Sequence, residues 1–259
     1  MNNFDKKKKV VAIIQARMGS TRLPGKIFKK IHQREILDYV VTRVNKSKEI
    51  DEVVIATTVR EKDDIIENFC NERGIKVFRG SEDDVLDRYY QCAKTFSGDI
   101  IVRVTSDCPL IDWEVIDYYV NYYKNNEIDY VVNTWFDKSY PSGFDVEVLS
   151  FETLEKYWKY EKDIKKREHA CNNIKDYPDL FKYVEHSNIE NNFEDKYNYL
   201  HLSVDIKEDF LLIKKIIEHF NGNINIKYQD IMNYITDDMI EFNMNDKRKE
   251  KIKTVKQLK

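Results

Sequence analysis

A chain of 259 residues, 42% of them hydrophobic, can bury a sizeable core and is long enough for one large α/β domain or two small ones. Lysine and arginine (43) nearly balance aspartate and glutamate (46), and the resulting net charge of −3 gives no global basic field, which argues against nucleic acid as a partner. Cys70, Cys92, Cys108 and Cys171 stand far apart with no C-x-x-C pair, a pattern that suits reduced thiols in a cytoplasmic protein better than a disulfide framework or a zinc site.

Four lysines, Lys6 to Lys9, precede the first apolar run and mimic a signal peptide. Gln15 and Arg17 cut that run short and no small-residue cleavage site follows, so the lysines read as a solvated lead-in. No stretch approaches the length of a membrane span. Val10 to Ile14 reads as a buried parallel strand because nothing polar interrupts it. The loop after it carries Ala16, Gly19, Ser20, Thr21 and Gly25 among the cations Arg17, Arg22 and Lys26. Its glycines let the backbone approach a ligand or take positive φ. A strand feeding such a loop is suited to holding phosphates. It is not a Walker loop, since Ile27 follows Lys26, and G-x-G-x-x-G is absent. A merely solvated βα loop is the alternative, but the carboxyl end of a strand in an α/β fold is where ligands bind.

Beyond the loop, Ile36 to Val44 has helical spacing, Val53 to Thr57 reads as a strand, and Glu61 to Arg73 as a charged helix closed by Gly74. Lys76 to Phe78, Ile100 to Val104 and Tyr130 to Val132 are further strands, with helices over Asp84 to Phe96 and Trp113 to Lys124. This alternation predicts an α/β fold with a mostly parallel, doubly wound sheet. The stripe Tyr118, Tyr119, Tyr122, Tyr123 either packs or marks a self-association surface. Phe144 to Val148 alternates apolar and acidic residues and reads as a half-exposed strand. Helices are expected at 152–159, 163–174, 207–220 and 228–235, and extended segments at 181–185 and 199–203. No linker divides residues 1–242, which are read as one domain, while 243–259 is polar enough to predict a weakly ordered tail.

Asp107 stands just past the fourth strand, facing the phosphate loop, where a carboxylate suits a Mg2+ that bridges triphosphate oxygens. Capping the next helix is its alternative role, and Asp112, directly before Trp113, fills that role better. Asp205, by itself, passes as a helix N-cap with Glu208 completing a capping box. A lone His201 on an apolar strand is more often a core residue than a base.

The run Ile13 to Lys26 resembles the nucleotide-binding loop of cytidylyltransferases that make CMP-activated sugars. The similarity continues through 79–89, 103–112, 143–148, 167–169 and 203–209, and is greatest to the spore-coat polysaccharide synthesis (SpsF-like) proteins, with CMP-Kdo and CMP-acylneuraminate synthetases as more distant cousins. The resemblance implies a nucleotide-diphospho-sugar transferase (GT-A-like) fold and a CTP-dependent transfer of CMP, with release of pyrophosphate, in surface polysaccharide or glycoconjugate precursor synthesis. By that resemblance Arg17, Arg22 and Lys26 act on the triphosphate, and Ala16, Gly19 and Ser20 hold the nucleotide. Asp205 joins Asp107 on Mg2+, and Ser81 and Asp84 belong to the base-reading loop. Arg103 either reaches the ligand or pairs with Asp87. Asp145, Glu147, Arg167 and His169, with Glu168 beside them, are candidates for a small anionic sugar or phosphorylated acceptor, which an arginine fork would suit. Acceptor and dimerisation elements are expected at about 134–200, in a homodimer. The alternatives are use of another NTP, or a catalytically silent nucleotide-binding or scaffold protein of the same pathway. A glycosyltransferase is disfavoured, since no Asp-x-Asp follows a strand.

Overall fold

The computed structural model describes residues 7–133, 140–185 and 200–243. Its strands in chain order are β1 (Val10–Gln15), a hairpin of β2 (Lys30–Ile31) and β3 (Arg34–Glu35), β4 (Glu52–Thr58), β5 (Lys76–Gly80), β6 (Ile100–Thr105), β7 (Tyr130–Val132), β8 (Glu147–Ser150) and β9 (Tyr183–Glu185). All but the hairpin form one sheet in the order β5-β4-β1-β6-β8-β7-β9. β5, β4, β1 and β6 run parallel, β8 is antiparallel to both β6 and β7, and β9 is parallel to β7. Strand order reverses direction at β1 and β6, so a crevice opens beyond their carboxyl ends. The loop after β1 and the turn bearing Asp107 both lie there.

The helices are α1 (Ile36–Val44), α2 (Asp64–Arg73), α3 (Val85–Thr95), α4 (Trp113–Lys124), α5 (Phe151–Tyr160), α6 (Ile164–Arg167), α7 (Lys207–His219), α8 (Tyr228–Tyr234) and α9 (Asp237–Asn243). They cover both faces of the sheet, which is why β1 is apolar without interruption. Val10, Ala12 and Ile14 pack with α1, α4 and α7 residues, while Val11 and Ile13 pack on the other face with α3 and α5 residues. Gly74 closes α2 in the left-handed region, φ 64°, as its position predicts. Tyr119 is fully buried, and Tyr118, Tyr122 and Tyr123 pack against the same core.

Several elements depart from the sequence expectation. The β2–β3 turn is made by His32 and Gln33, both left-handed, so it lacks the Asn-Gly chemistry that marks such turns. The strand expected at 144–148 is Glu147–Ser150, and it is interior rather than half-exposed, because β6 and β7 flank it and both its faces are covered. The helix expected over 163–174 stops at Arg167, and Ala170 at φ 49° turns the chain away. Residues 200–203 contribute one bridge, His201 to Ser142, and no strand. α9 has no counterpart in the expected elements: Asn243, assigned to the tail, ends it and is 1% exposed. The rest of that tail, 244–259, lies outside the described residues, as do 134–139 and 186–199 of the expected acceptor and dimerisation elements. Among the described residues no helix is long and apolar enough to cross a membrane, and all four cysteines are unpaired.

One buried cation ties the far end of the chain to the sheet. Arg43, 1% exposed at the end of α1, donates to the carbonyls of Ile111 (2.6 Å), Leu110 (3.2 Å), Ile224 (2.9 Å) and Ile226 (2.8 Å). Burial lowers its pKa to about 10, with the nearby Asp112 opposing that shift, so it stays charged at neutral pH. Arg43→Met should cost about 3 kcal/mol, because it removes hydrogen bonds to a charged donor and leaves carbonyls buried without a partner. Urea unfolding measures this, and a loss below about 1 kcal/mol would mean that water replaces the guanidinium.

Candidate active site

The loop after β1 and two remote aspartates converge on one nitrogen. Gly25, at φ 65°, starts a short 3-10 turn, Lys26–Phe28, which turns Lys26 back under the loop. There Lys26 Nζ lies 2.6 Å from Asp107 Oδ2 and 3.0 Å from Asp205 Oδ1. Arg22 Nη2 reaches the same Asp205 oxygen at 3.0 Å, and the Thr105 hydroxyl donates to Asp107 Oδ1 at 2.7 Å. Burial works against the charges on Lys26 and Asp205, but each partner outweighs it. Asp107 and Asp205 hold the lysine above its ordinary pKa, and Lys26, with His201 and Arg22, holds Asp205 below the carboxylate range.

The sign of each shift sets its pH window. The depressed carboxylate stabilises the fold above its unfolded pKa and loses that effect as pH falls through the folded value. The raised ammonium stabilises below its unfolded pKa and loses it only as pH rises through the folded value. Lys26 and Asp205 are therefore both ionised across neutral pH.

Backbone contacts bring Asp205 to Asp107. Val204 N donates to Asp107 O at 2.8 Å, and Leu202 N donates to Ser142 O at 2.6 Å. The second contact needs Gly143, at φ 113°, because a Cβ there would meet the Leu202 carbonyl oxygen at 2.5 Å. Asp205 is not the cap of α7. Ile206 occupies that position, and Asp209 in the first turn accepts from Asp205 N and Ile206 N at 3.0 and 3.1 Å. The Asp205 carboxylate is thus left to face the lysine. Asp112, by contrast, does cap α4, accepting from Glu114 N at 2.8 Å.

No group of three or more His, Cys, Asp or Glu side chains forms a metal cage among the described residues. Asp107 and Asp205 sharing one ammonium is still a donor set that fits Mg2+, which is commonly held by one or two carboxylates with substrate phosphates and water.

Arg17 is exposed at the loop's start. Gly19 faces the ion pairs that Glu82 makes with Arg60 and Lys62; a Cβ there would lie 3.4 Å from Lys62 Nζ and 3.5 Å from Glu82 Oε1. Ser20 Oγ accepts weakly from Leu23 N at 3.4 Å, and Ala16 is buried and donates its N–H to Ala56 O at 3.1 Å.

The side chains proposed for the base instead hold their own loop. Ser81 Oγ accepts from Asp84 N at 3.0 Å. Asp84 caps α3 through Asp87 N at 2.8 Å, and its second oxygen takes Arg167 Nε at 2.8 Å. Arg167 is correspondingly no fork for an acceptor: it is 8% exposed and also donates to Trp158 O (2.9 Å) and Glu161 O (2.8 Å). His169 is exposed at the turn after α6.

Glu147 is likewise an internal group. It lies directly opposite Arg103 in the β6–β8 ladder and pairs with it, 3% exposed, while Tyr130 OH donates to its other oxygen at 2.7 Å. Arg103 therefore pairs with Glu147 rather than Asp87, and its Nη2 also reaches Gln15 Oε1 at 3.3 Å. Asp145, next along the alternating stretch, points elsewhere. It accepts from Gly143 N at 3.1 Å, in the turn whose Ser142 carbonyl accepts from Leu202 N, three residues before Asp205.

Asp63 was not among the candidates. Fully buried before α2, it accepts from Met18 N at 2.7 Å and from the Thr58 hydroxyl, so it pins the loop to the end of β4. An acidic residue at a helix start is commonplace, and only this long-range contact distinguishes it.

The cytidylyltransferase family profile matches residues 11–259. The uncharacterized protein MJ1063 of Methanocaldococcus jannaschii is 40% identical over 229 residues, covering 88% of this chain and 90% of its own. The spore coat polysaccharide biosynthesis protein SpsF of Bacillus subtilis is 33% identical over 216 residues, 81% of this chain and 86% of its own. The solved structure of a cytidylyltransferase from Leptospira borgpetersenii superposes with a TM-score of 0.82 at 35% identity, over 92% of this chain and 98% of that one. By its fold, its motifs and these relatives, the chain belongs to the cytidylyltransferase family and is a nucleotidyltransferase of the SpsF-like kind.

Proposed function

We propose that the protein transfers CMP from CTP to a small anionic sugar or phosphorylated acceptor and releases pyrophosphate, supplying a precursor of a surface polysaccharide or glycoconjugate. The observation that carries this reading is the Lys26 ammonium held between Asp107 and Asp205 at the mouth of the β1–β6 crevice. Asp107 and Asp205 are the residues that would hold a Mg2+, which would supply positive charge against the phosphates. Lys26, Arg22 and Arg17 would bind the triphosphate and hold its α-phosphorus in line with the acceptor oxygen. The new bond forms between that oxygen and the α-phosphorus, the bond from the α-phosphorus to the bridging oxygen breaks, and an acceptor hydroxyl gives its proton to water. The departing pyrophosphate is an anion that the same cations stabilise, so positioning and charge neutralisation carry the step. Asp145, in the turn that Leu202 joins to the Asp205 segment, is the carboxylate assigned to the acceptor. SpsF of Bacillus subtilis, named for spore coat polysaccharide biosynthesis, supports the choice of pathway.

Incubation of acidic sugars and phosphorylated metabolites with CTP and Mg2+, followed by mass spectrometry, tests the assignment. A product heavier than its acceptor by a CMP group is expected, and competition among the four nucleoside triphosphates should favour CTP. Nucleotide binding without any product across the panel would instead identify a silent binding protein. Asp205→Ala should raise the Mg2+ concentration for half-maximal rate by about tenfold or more. An unchanged requirement would remove Asp205 from the metal.

A further inference from the structure

Asp205 is held by a polar clamp that begins at the far end of the described chain. Asn243, the last residue of α9, is 1% exposed, and its amide grips two points of the segment that carries Asp205. Its oxygen accepts from His201 N at 2.8 Å, and its nitrogen donates to Asp209 Oδ1 at 3.1 Å. Asp209 is fully buried and passes this order on, since its other oxygen accepts from Asp205 N and Ile206 N at 3.0 and 3.1 Å. The His201 ring stands between the two acids, with Nε2 3.6 Å from Asp205 Oδ2 and Nδ1 3.6 Å from Asp209 Oδ2. An apolar residue at 243 would pack α9 against α7 without the cost of burying an amide beside a carboxylate. What the amide supplies, and an apolar side chain does not, is direction: it fixes both ends of the turn from which Asp205 faces Lys26.

We propose that Asn243 is a positioning residue for Asp205, acting through Asp209 and the His201 backbone, so that α9 sets the geometry of the metal and triphosphate site. This rests on the reading of Asp205 as a Mg2+ ligand. Groups that orient a metal ligand typically govern metal affinity by about 10- to 100-fold, and a shift of that size is expected here.

The test uses the full chain, with Mn2+ as a paramagnetic substitute for Mg2+. Water-proton relaxation reports the affinity of the protein for Mn2+-CTP in the absence of acceptor. Calorimetry with CTP in EDTA reports metal-free nucleotide binding. Asn243→Ala removes both contacts, and Asn243→Leu removes both while keeping the buried volume and adding no charge beside Asp209. Each variant should weaken Mn2+-CTP binding by about tenfold or more and leave CTP binding in EDTA unchanged. In an Asp205→Asn background Asn243→Ala should add nothing further, because coupled residues are not additive.

Should the alanine variant fail to fold, as judged by its melting temperature, the leucine variant carries the test. Unchanged Mn2+-CTP affinity, an equal loss in EDTA, or an additive effect on Asp205→Asn would each overturn the proposal. If Asp205→Asn by itself leaves Mn2+-CTP affinity intact, the metal reading of Asp205 falls and takes this proposal with it. If Asp205→Asn weakens binding and the Asn243 variants do not, only the clamp is refuted.

Discussion

Lys26→Met should lower turnover about 100- to 1000-fold, the usual cost of removing one preorganised charge that faces a transferring group. Methionine keeps most of the stem and its packing, so the loss comes from the ammonium. The same substitution should also invert the pH response of the fold. With Lys26 present, Asp205 titrates below its ordinary range and contributes stability at neutral pH. Without it, Asp107 and Asp205 face each other with Arg22, the His201 ring and the Thr105 hydroxyl as their partial offsets. Like charges at close range raise a carboxylate pKa, so ionisation then opposes folding, and stability should fall as pH rises through the carboxylate range. Millimolar Mg2+ should restore part of it. Pyrophosphate release measures the first effect, and melting temperature against pH with and without Mg2+ measures the second. Turnover near that of the native protein would take Lys26 out of the mechanism, and a melting curve indifferent to pH and Mg2+ would mean that the two carboxylates do not act together.

The largest loss of stability should come from Glu147→Ala. This change strands the Arg103 guanidinium inside the sheet and deprives the Tyr130 hydroxyl of its acceptor. Breaking a buried ion pair from one side costs about 3–5 kcal/mol, most of it the uncompensated charge left behind. The double variant Arg103→Met with Glu147→Gln should recover most of that, since no charge is then left unpaired and the glutamine oxygen still accepts from Tyr130. Urea midpoints of the two singles and the double decide the matter. A single-variant cost below about 1 kcal/mol would show that the pair behaves like a solvated surface bridge. A double variant no better than Glu147→Ala would show that shape rather than charge is what the site requires. Because Arg103 also reaches Gln15 at the end of β1, the single variant should loosen the start of the phosphate loop and weaken CTP binding.

The parallel half of the sheet was legible because β1 and β4 are buried on both faces and carry unbroken apolar runs, and β6 carries one broken by Arg103 alone before its final Thr105. In the other half β7 and β9 were legible as Tyr130 to Val132 and within 181–185, but the setting of β8 was not. Glu147 looked like the polar side of a half-exposed strand because alternation cannot distinguish an acid facing water from one facing a buried arginine opposite. Arg167 looked like a fork for an anionic acceptor for a similar reason: its three internal acceptors, Asp84 and the carbonyls of Trp158 and Glu161, lie on separate turns of the chain. The β2–β3 hairpin was invisible because its turn uses His32 and Gln33 in place of glycine.

The amino-acid order alone determined which loop is cationic and glycine-bearing, that it follows a buried strand, and that Asp107 stands past another strand. These are local properties, set by spacing along the chain. Only the folded chain decided that Asp205, 179 residues from Lys26, meets the same nitrogen as Asp107, because that depends on Gly143 admitting Leu202 and on Val204 bonding to the Asp107 carbonyl. Contacts of this kind are fixed by how elements stack, and a carboxylate carries no mark of whether it will meet water, a helix end or a lysine until that stacking is complete.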